Sequence, residues 1–214
     1  MRLSAATAVV VSGLALAVLA GCSNTTPGDA SPSAQGPAPG TASSSPTPLV
    51  GQAPDGTPIP GGKPTWLDSL PNPASVDRND PEAVMSAYIT TVYTWDSRVD
   101  RTSAYAAQRA AIYQTEEHRE ALEEWDPDSV TGQDDFIEAA KHDAYTTVTI
   151  RDIIKEGLDP DSDGDVHRIV HYLVTTTRRD GTGTHTESWD AWVTVTQQDD
   201  QWVVETVNTR PSQT

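Results

Sequence analysis

From Ala144 onward the chain changes its residue pattern, and that change limits the fold more than any other feature. β-Branched and aromatic residues gather in four runs, Tyr145 to Lys155, Val166 to Thr177, Thr184 to Gln197 and Trp202 to Asn208, each long enough for a strand. Turn-forming residues separate the later runs, Arg179-Asp180-Gly181-Thr182-Gly183 and then Gln198-Asp199-Asp200. Links this short leave no room for a crossover helix. Consecutive strands must therefore pair antiparallel, as a meander.

Upstream the spacing is helical. Asp80-Pro81-Glu82 is a helix start, with an acidic cap, proline where its missing N–H costs nothing, and a carboxylate at the positive end of the dipole. The helix it opens places Val84, Tyr88, Val92 and Trp95 on one face, with Met85 and Ile89 alongside. A second helix is expected from Asp100 or Thr102, using Tyr105, Ala107, Ala111 and Ile112. A third is expected from Thr115 with Leu122 and Trp125 facing inward, and Asp126-Pro127 stops it. A short helical piece over Phe136 to Ala140 leads into the strands. Helices first and a meander afterwards define an α+β domain, expected as one folded unit over residues 66–214.

That order of elements, with long strands, resembles the nuclear-transport-factor-2-like cone fold, a cystatin-like roll in which N-terminal helices cover a curved four-stranded antiparallel meander. Strand parity fits a sheet with two apolar faces. Trp189, Ala191, Val193 and Val195 share one side and Trp192 takes the other; Val166, Val170, Tyr172 and Val174 share one side, opposite Ile169 and Leu173. In the family resembled, the second face is often covered by another subunit, which implies a homodimer or a protein partner.

The N-terminal third is of another kind. Met1 to Ala20 has one charge, Arg2, followed by an apolar stretch too short to span a membrane stably but suited to an export signal. It ends in Leu19-Ala20-Gly21-Cys22, which resembles the lipobox of bacterial lipoproteins. The resemblance implies removal of residues 1–21, acylation of Cys22 and a lipid anchor at the outer face of the cell membrane. Cys22 is the one cysteine of the chain, so an internal disulfide is excluded, and lipidation accounts for its position. Residues 22–65, rich in Ser, Thr, Pro, Gly and Ala, are expected to form a disordered tether reaching about 35 Å from the lipid surface. Ser43-Ser44-Ser45-Pro46-Thr47-Pro48 within it offers sites for sugars, although a plain spacer needs the same residues.

Fourteen basic residues against thirty-one acidic ones give a formal charge of −17, and removal of the signal takes Arg2 and no acid, leaving −18. That charge disfavours nucleic acid and anionic lipid surfaces as partners. Only Lys63, Lys141 and Lys155 are lysines, a bias that resembles proteins of GC-rich actinobacteria.

Three sets of residues are candidates for chemistry. Asp159, Asp161, Asp163 and Asp165 alternate around Gly164 like the first half of a calcium loop, but Val170 occupies the position of the closing bidentate glutamate. A turn between two strands requires the same Asp, Pro and Gly content. The histidines are His118, His142 (beside Asp143), His167, His171 and His185. His167 and His171 share one side of a strand about 13 Å apart, too far to hold one metal ion. The aromatic residues Trp95, Trp125, Trp189, Trp192 and Trp202, with Tyr88, Tyr93, Tyr105 and Tyr113, must supply core volume in a chain with a single Phe, and some can also line a pocket. No phosphate loop, nucleophile elbow, paired-cysteine site or HExxH sequence occurs. The resulting expectation is a non-catalytic envelope lipoprotein whose cone docks other proteins, as related cones do in transport and conjugation machinery. The alternatives are binding of a small apolar ligand and isomerase- or cyclase-like chemistry inside the cone.

Overall fold

The computed structural model describes residues 49–155, 160–162 and 164–212. The export signal, Cys22, most of the expected tether, and Asp159 and Asp163 of the acidic run lie outside the described residues.

Four α-helices precede four strands among the described residues. They are α1 (Pro81–Val92), α2 (Ala104–Ala110), α3 (Glu116–Glu123) and α4 (Asp134–Ala140), then β1 (Tyr145–Ile154), β2 (Asp165–Thr177), β3 (Thr184–Gln198) and β4 (Gln201–Pro211). The strands form one antiparallel sheet in the order β1-β2-β3-β4, the meander that the short links require. The β3–β4 link is Asp199-Asp200, with φ of 51° and 61°, and its left-handed backbone matches the twist of the strands it joins.

Asp80 caps α1 as its sequence predicts, its carboxylate accepting the Glu82 N–H at 2.9 Å. α1 buries Val84, Met85, Tyr88 and Ile89 against the sheet. The register sets Val166, Val170 and Tyr172 beside Val195, Ala191 and Trp189 on the helix side, continued by Trp202 and Val204. Ile169, Leu173 and Trp192 lie on the other face, half-buried among threonines. Bulges at Ile150/Asp152 and Thr194/Val195 shift the pairing register, and such bulges bend and twist a strand. The outer edge of β4 is partly paired, since the Trp202 N–H donates to the Arg78 carbonyl and the Thr115 N–H to the Val204 carbonyl.

Three expectations need correction. α1 ends at Val92, so Trp95 lies beyond the helix rather than on its face. α3 buries no residue: Leu122 is only half-buried, and Trp125 lies beyond its C-terminus. Residues 49–65 do not belong to a disordered tether. Val50 pairs with Thr65 and Gln52 with Pro58, while Ala53, Ile59 and Pro60 are buried. The composition misleads here because Gly and Pro suit tight packing as well as disorder. Gly51, at φ 78°, lies so near Gly62 that a Cβ would sit 2.8 Å from the Gly62 oxygen.

One buried ion pair joins this segment to the helices. Arg109 and Asp100, both with fully buried side chains, form two parallel hydrogen bonds of 2.7 Å. The other hydrogens of the two terminal Arg109 nitrogens reach the Thr65 and Thr94 carbonyls, each at 3.1 Å, its buried Nε–H has no partner, and Asp100 also accepts the Asp96 N–H at 3.0 Å. Arg109→Met strands a carboxylate in the interior and is expected to lower unfolding free energy in urea by about 3–5 kcal/mol. Adding Asp100→Leu is expected to restore much of that loss, whereas additive losses would show that the pair holds the fold through packing alone.

Candidate functional site

The end of α1 is fastened to β1 through Thr146, whose hydroxyl donates to the Tyr93 carbonyl at 2.7 Å and accepts the Trp95 N–H at 2.9 Å. This fastening leaves a gap between the helices and the helix-side face of the sheet, at the end where β2 and β3 approach their turn. The gap is a cavity of about 510 Å³, open to solvent along one side. Tyr93, Trp95, Trp125, Phe136 and Trp189 supply its rings, with Val174 beneath them. Trp95 meets Phe136 edge-on at 5.0 Å between ring centroids, and Tyr93 lies tilted on Tyr172 at 5.1 Å. Asp135 and Glu187 line this cavity and also an adjoining one of about 510 Å³, in which they meet Glu138, Arg178 and His185. Trp125 and Trp189 read as core residues in the sequence; only the tertiary gap between α4 and the sheet turns them into a lining.

Deeper under α1 the hollow is filled. Tyr172 and Tyr113 are fully buried, and their hydroxyls have no hydrogen-bond partner there. Burial holds both protons on, raising the Tyr172 hydroxyl far above its usual range and Tyr113 to about 12. Neither is suited to act as a base near neutral pH.

The histidines are spread out. His167 and His171 share the outer face of β2, as their spacing requires, and each has its own partner. His167 shares a hydrogen bond with the Thr194 hydroxyl at 3.1 Å, and His171 donates from Nδ1 to Asp190 at 2.7 Å. Asp190 also accepts from the Ser212 hydroxyl at 2.6 Å. His142 pairs with Asp180 at 2.5 Å rather than with its neighbour Asp143, whose carboxylate takes Arg98 at 2.9 Å. His185 lies 3.7 Å from Glu187, with side chains 74% and 53% exposed.

Of the calcium candidates, only Asp161 and Asp165 are described. The two oxygens of Asp161 accept from Arg168 at 2.9 Å and Lys155 at 2.8 Å, and these hydrogen bonds hold the carboxyl well below the usual range. A calcium ion would have to displace both cations. Arg168 also bonds Glu82 at 2.8 Å, tying the acidic run to the first turn of α1. Asp165 is the first residue of β2, paired with Thr196.

No protein-family model and no curated protein matches the chain. Among solved structures, the soluble domain of the type IV secretion component TrwG from Bartonella grahamii is 15% identical, covering 61% of this chain and 91% of its own, at a TM-score of 0.40. A TraE protein in complex with 2-chloroisonicotinic acid is 11% identical over 64% of this chain and all of its own, at 0.41. An IcmL-like type IV secretion protein from Legionella pneumophila is 15% identical over 68% and 96%, at 0.40. Likenesses this distant carry nothing about activity or partners.

Two outcomes follow from these contacts. Saturating calcium and chelator are expected to give the same melting temperature, because Asp161 is already satisfied; a calcium-dependent rise would instead place an ion in the acidic run. Burial raises the Asp190 carboxyl, but hydrogen bonds from Ser212 and His171 and the Arg210 charge outweigh it and hold the group below its ordinary value. A depressed carboxyl stabilises the fold fully above its unfolded value of about 3.9 and loses that contribution as pH falls through the folded value. Asp190→Asn is therefore expected to flatten the acid limb of a stability–pH curve below about pH 4.

Proposed function

We propose that this chain is an envelope lipoprotein, exported behind residues 1–21, acylated at Cys22 and held at the outer face of the cell membrane, whose folded part is a non-catalytic docking module. On this reading the helices laid over a bulged meander are a cone of the nuclear-transport-factor-2-like kind, on a tether that ends near residue 49 rather than 65. The observation that carries the docking role is the shape of the aromatic cavity. It is open along one side, and small-molecule sites bury most of their ligand, whereas an open groove receives part of another macromolecule. The neighbouring chemistry supports the same reading. The buried polar groups of Arg109 and Asp100 are used in holding segments together, and the buried tyrosines keep their protons.

A second reading draws on the same cavity, whose volume of about 510 Å³ lies within the range of small-ligand sites. A homodimer through the outer sheet face is a third arrangement, supported by the half-buried Ile169, Leu173 and Trp192.

Native mass spectrometry of the full-length chain, extracted gently from its membrane, separates these readings. A stoichiometric protein partner lost on Trp189→Ala supports docking at the groove. A retained small molecule overturns it in favour of the ligand reading, and a doubled mass points to the sheet face. The N-terminal peptide of the membrane-extracted chain is expected to begin at a diacylated Cys22, and an unmodified peptide running from Gly21 through Cys22 would remove the anchor.

A further inference from the structure

Among the described residues a guanidinium lies over an aromatic ring at three places. Arg78 lies 4.4 Å from the centroid of Tyr113, Arg179 lies 4.5 Å from Tyr145, and Arg210 lies 4.2 Å from Trp192. The groove rings Tyr93, Trp95, Trp125 and Trp189 have no such cation among the described residues, although they are only half-buried. Carboxylates stand beside them instead. Asp135 has no ion-pair partner among the described residues, and Glu187 meets only the exposed His185. Glu138, farther along, is already engaged by Lys141 at 2.6 Å, and Arg178 lines the adjoining cavity together with Asp135, Glu138 and Glu187.

Aromatic faces carry negative charge density and attract an organic cation, more strongly where water is partly excluded. We infer that the groove receives a lysine or arginine side chain of a protein partner, its aliphatic stem along Val174 and the indole faces and its charged head between Asp135 and Glu187. The long, apolar stem of such a side chain suits ring faces, while its head requires the carboxylates at the rim. The chain's own charge of −17 adds a long-range field that attracts a basic partner. This assignment rests on the docking reading, and it specifies the partner's chemistry.

The test is an NMR titration of indole N–H signals in the isotope-labelled full-length chain with n-butylguanidinium, and with n-butylurea as its neutral counterpart. n-Butylguanidinium is expected to shift the Trp95, Trp125 and Trp189 signals while leaving the buried Trp66 and Trp202 unmoved. Asp135→Asn and Glu187→Gln, both at the solvent-facing rim, are each expected to weaken binding about two- to fivefold. Equal shifts with n-butylurea would overturn the inference, because the groove would then not select charge. An absence of shifts up to about 100 mM, where the weakest specific contacts are already seen, would overturn it too. Tighter binding of tetramethylammonium than of n-butylguanidinium would also overturn it, in favour of a quaternary ammonium ligand. If any of these results is found while mass spectrometry still shows a partner lost on Trp189→Ala, the docking reading stands and only the cationic assignment fails.

Discussion

The Arg109–Asp100 pair is the contact on which the helical half depends. Two charges with no solvent exposure are costly to bury and are tolerated only with close pairing and further hydrogen bonds. Here nearly every polar atom of the pair is used: four hydrogen bonds leave Arg109 and reach α2's neighbours in three directions, toward Thr65, Thr94 and Asp100. The pair thereby locks residues 49–65, the loop after α1 and α2 into one arrangement. Because that loop also carries Tyr93 and Trp95, the ion pair indirectly sets the position of the groove wall.

The sheet supplies the opposite wall by a different principle. Cross-strand pairing of Tyr172 with Trp189 and of Val174 with Glu187 brings an apolar floor and a rim carboxylate next to each other. α1 covers the sheet as far as Tyr93, and α4 begins across a gap that no side chain closes. An open groove at this place therefore results from where the helices stop, not from any local motif. On the outer face the same register builds a charged row, in which Asp152, His171, Asp190 and Arg210 are successive partners across the four strands. That row sets charge among the apolar residues of the outer face, Ile154, Ile169, Leu173, Trp192 and Val203.

Much of the architecture was readable along the chain because the signals were local. Strand parity alone separated Trp192 from Trp189, since a pleated strand alternates sides whatever surrounds it. The Asp80-Pro81 start of α1 and the four strand runs rest on capping and periodicity in the same way. Where the reading failed, the deciding contact was distant. Residues 49–65 look like spacer by composition, yet Ile59 and Ala53 find a core made by residues far along the chain. Asp100 and Arg109 look like two surface charges on a helical stretch, and nothing in their spacing indicates that both become fully buried.

The sequence by itself determined the α+β order, the antiparallel meander and the side of the sheet each strand residue takes, because these follow from short links and a two-residue period. It also set the acidic charge and the lone cysteine at position 22. Only the tertiary structure decided that Trp95, Trp125, Phe136 and Trp189 share one groove, that Asp135 and Glu187 stand at its rim, and that Asp161 is occupied by Arg168 and Lys155. The reason is that such a site is made of residues up to a hundred positions apart. Their meeting depends on where helices end and how strands register, and no local spacing encodes it.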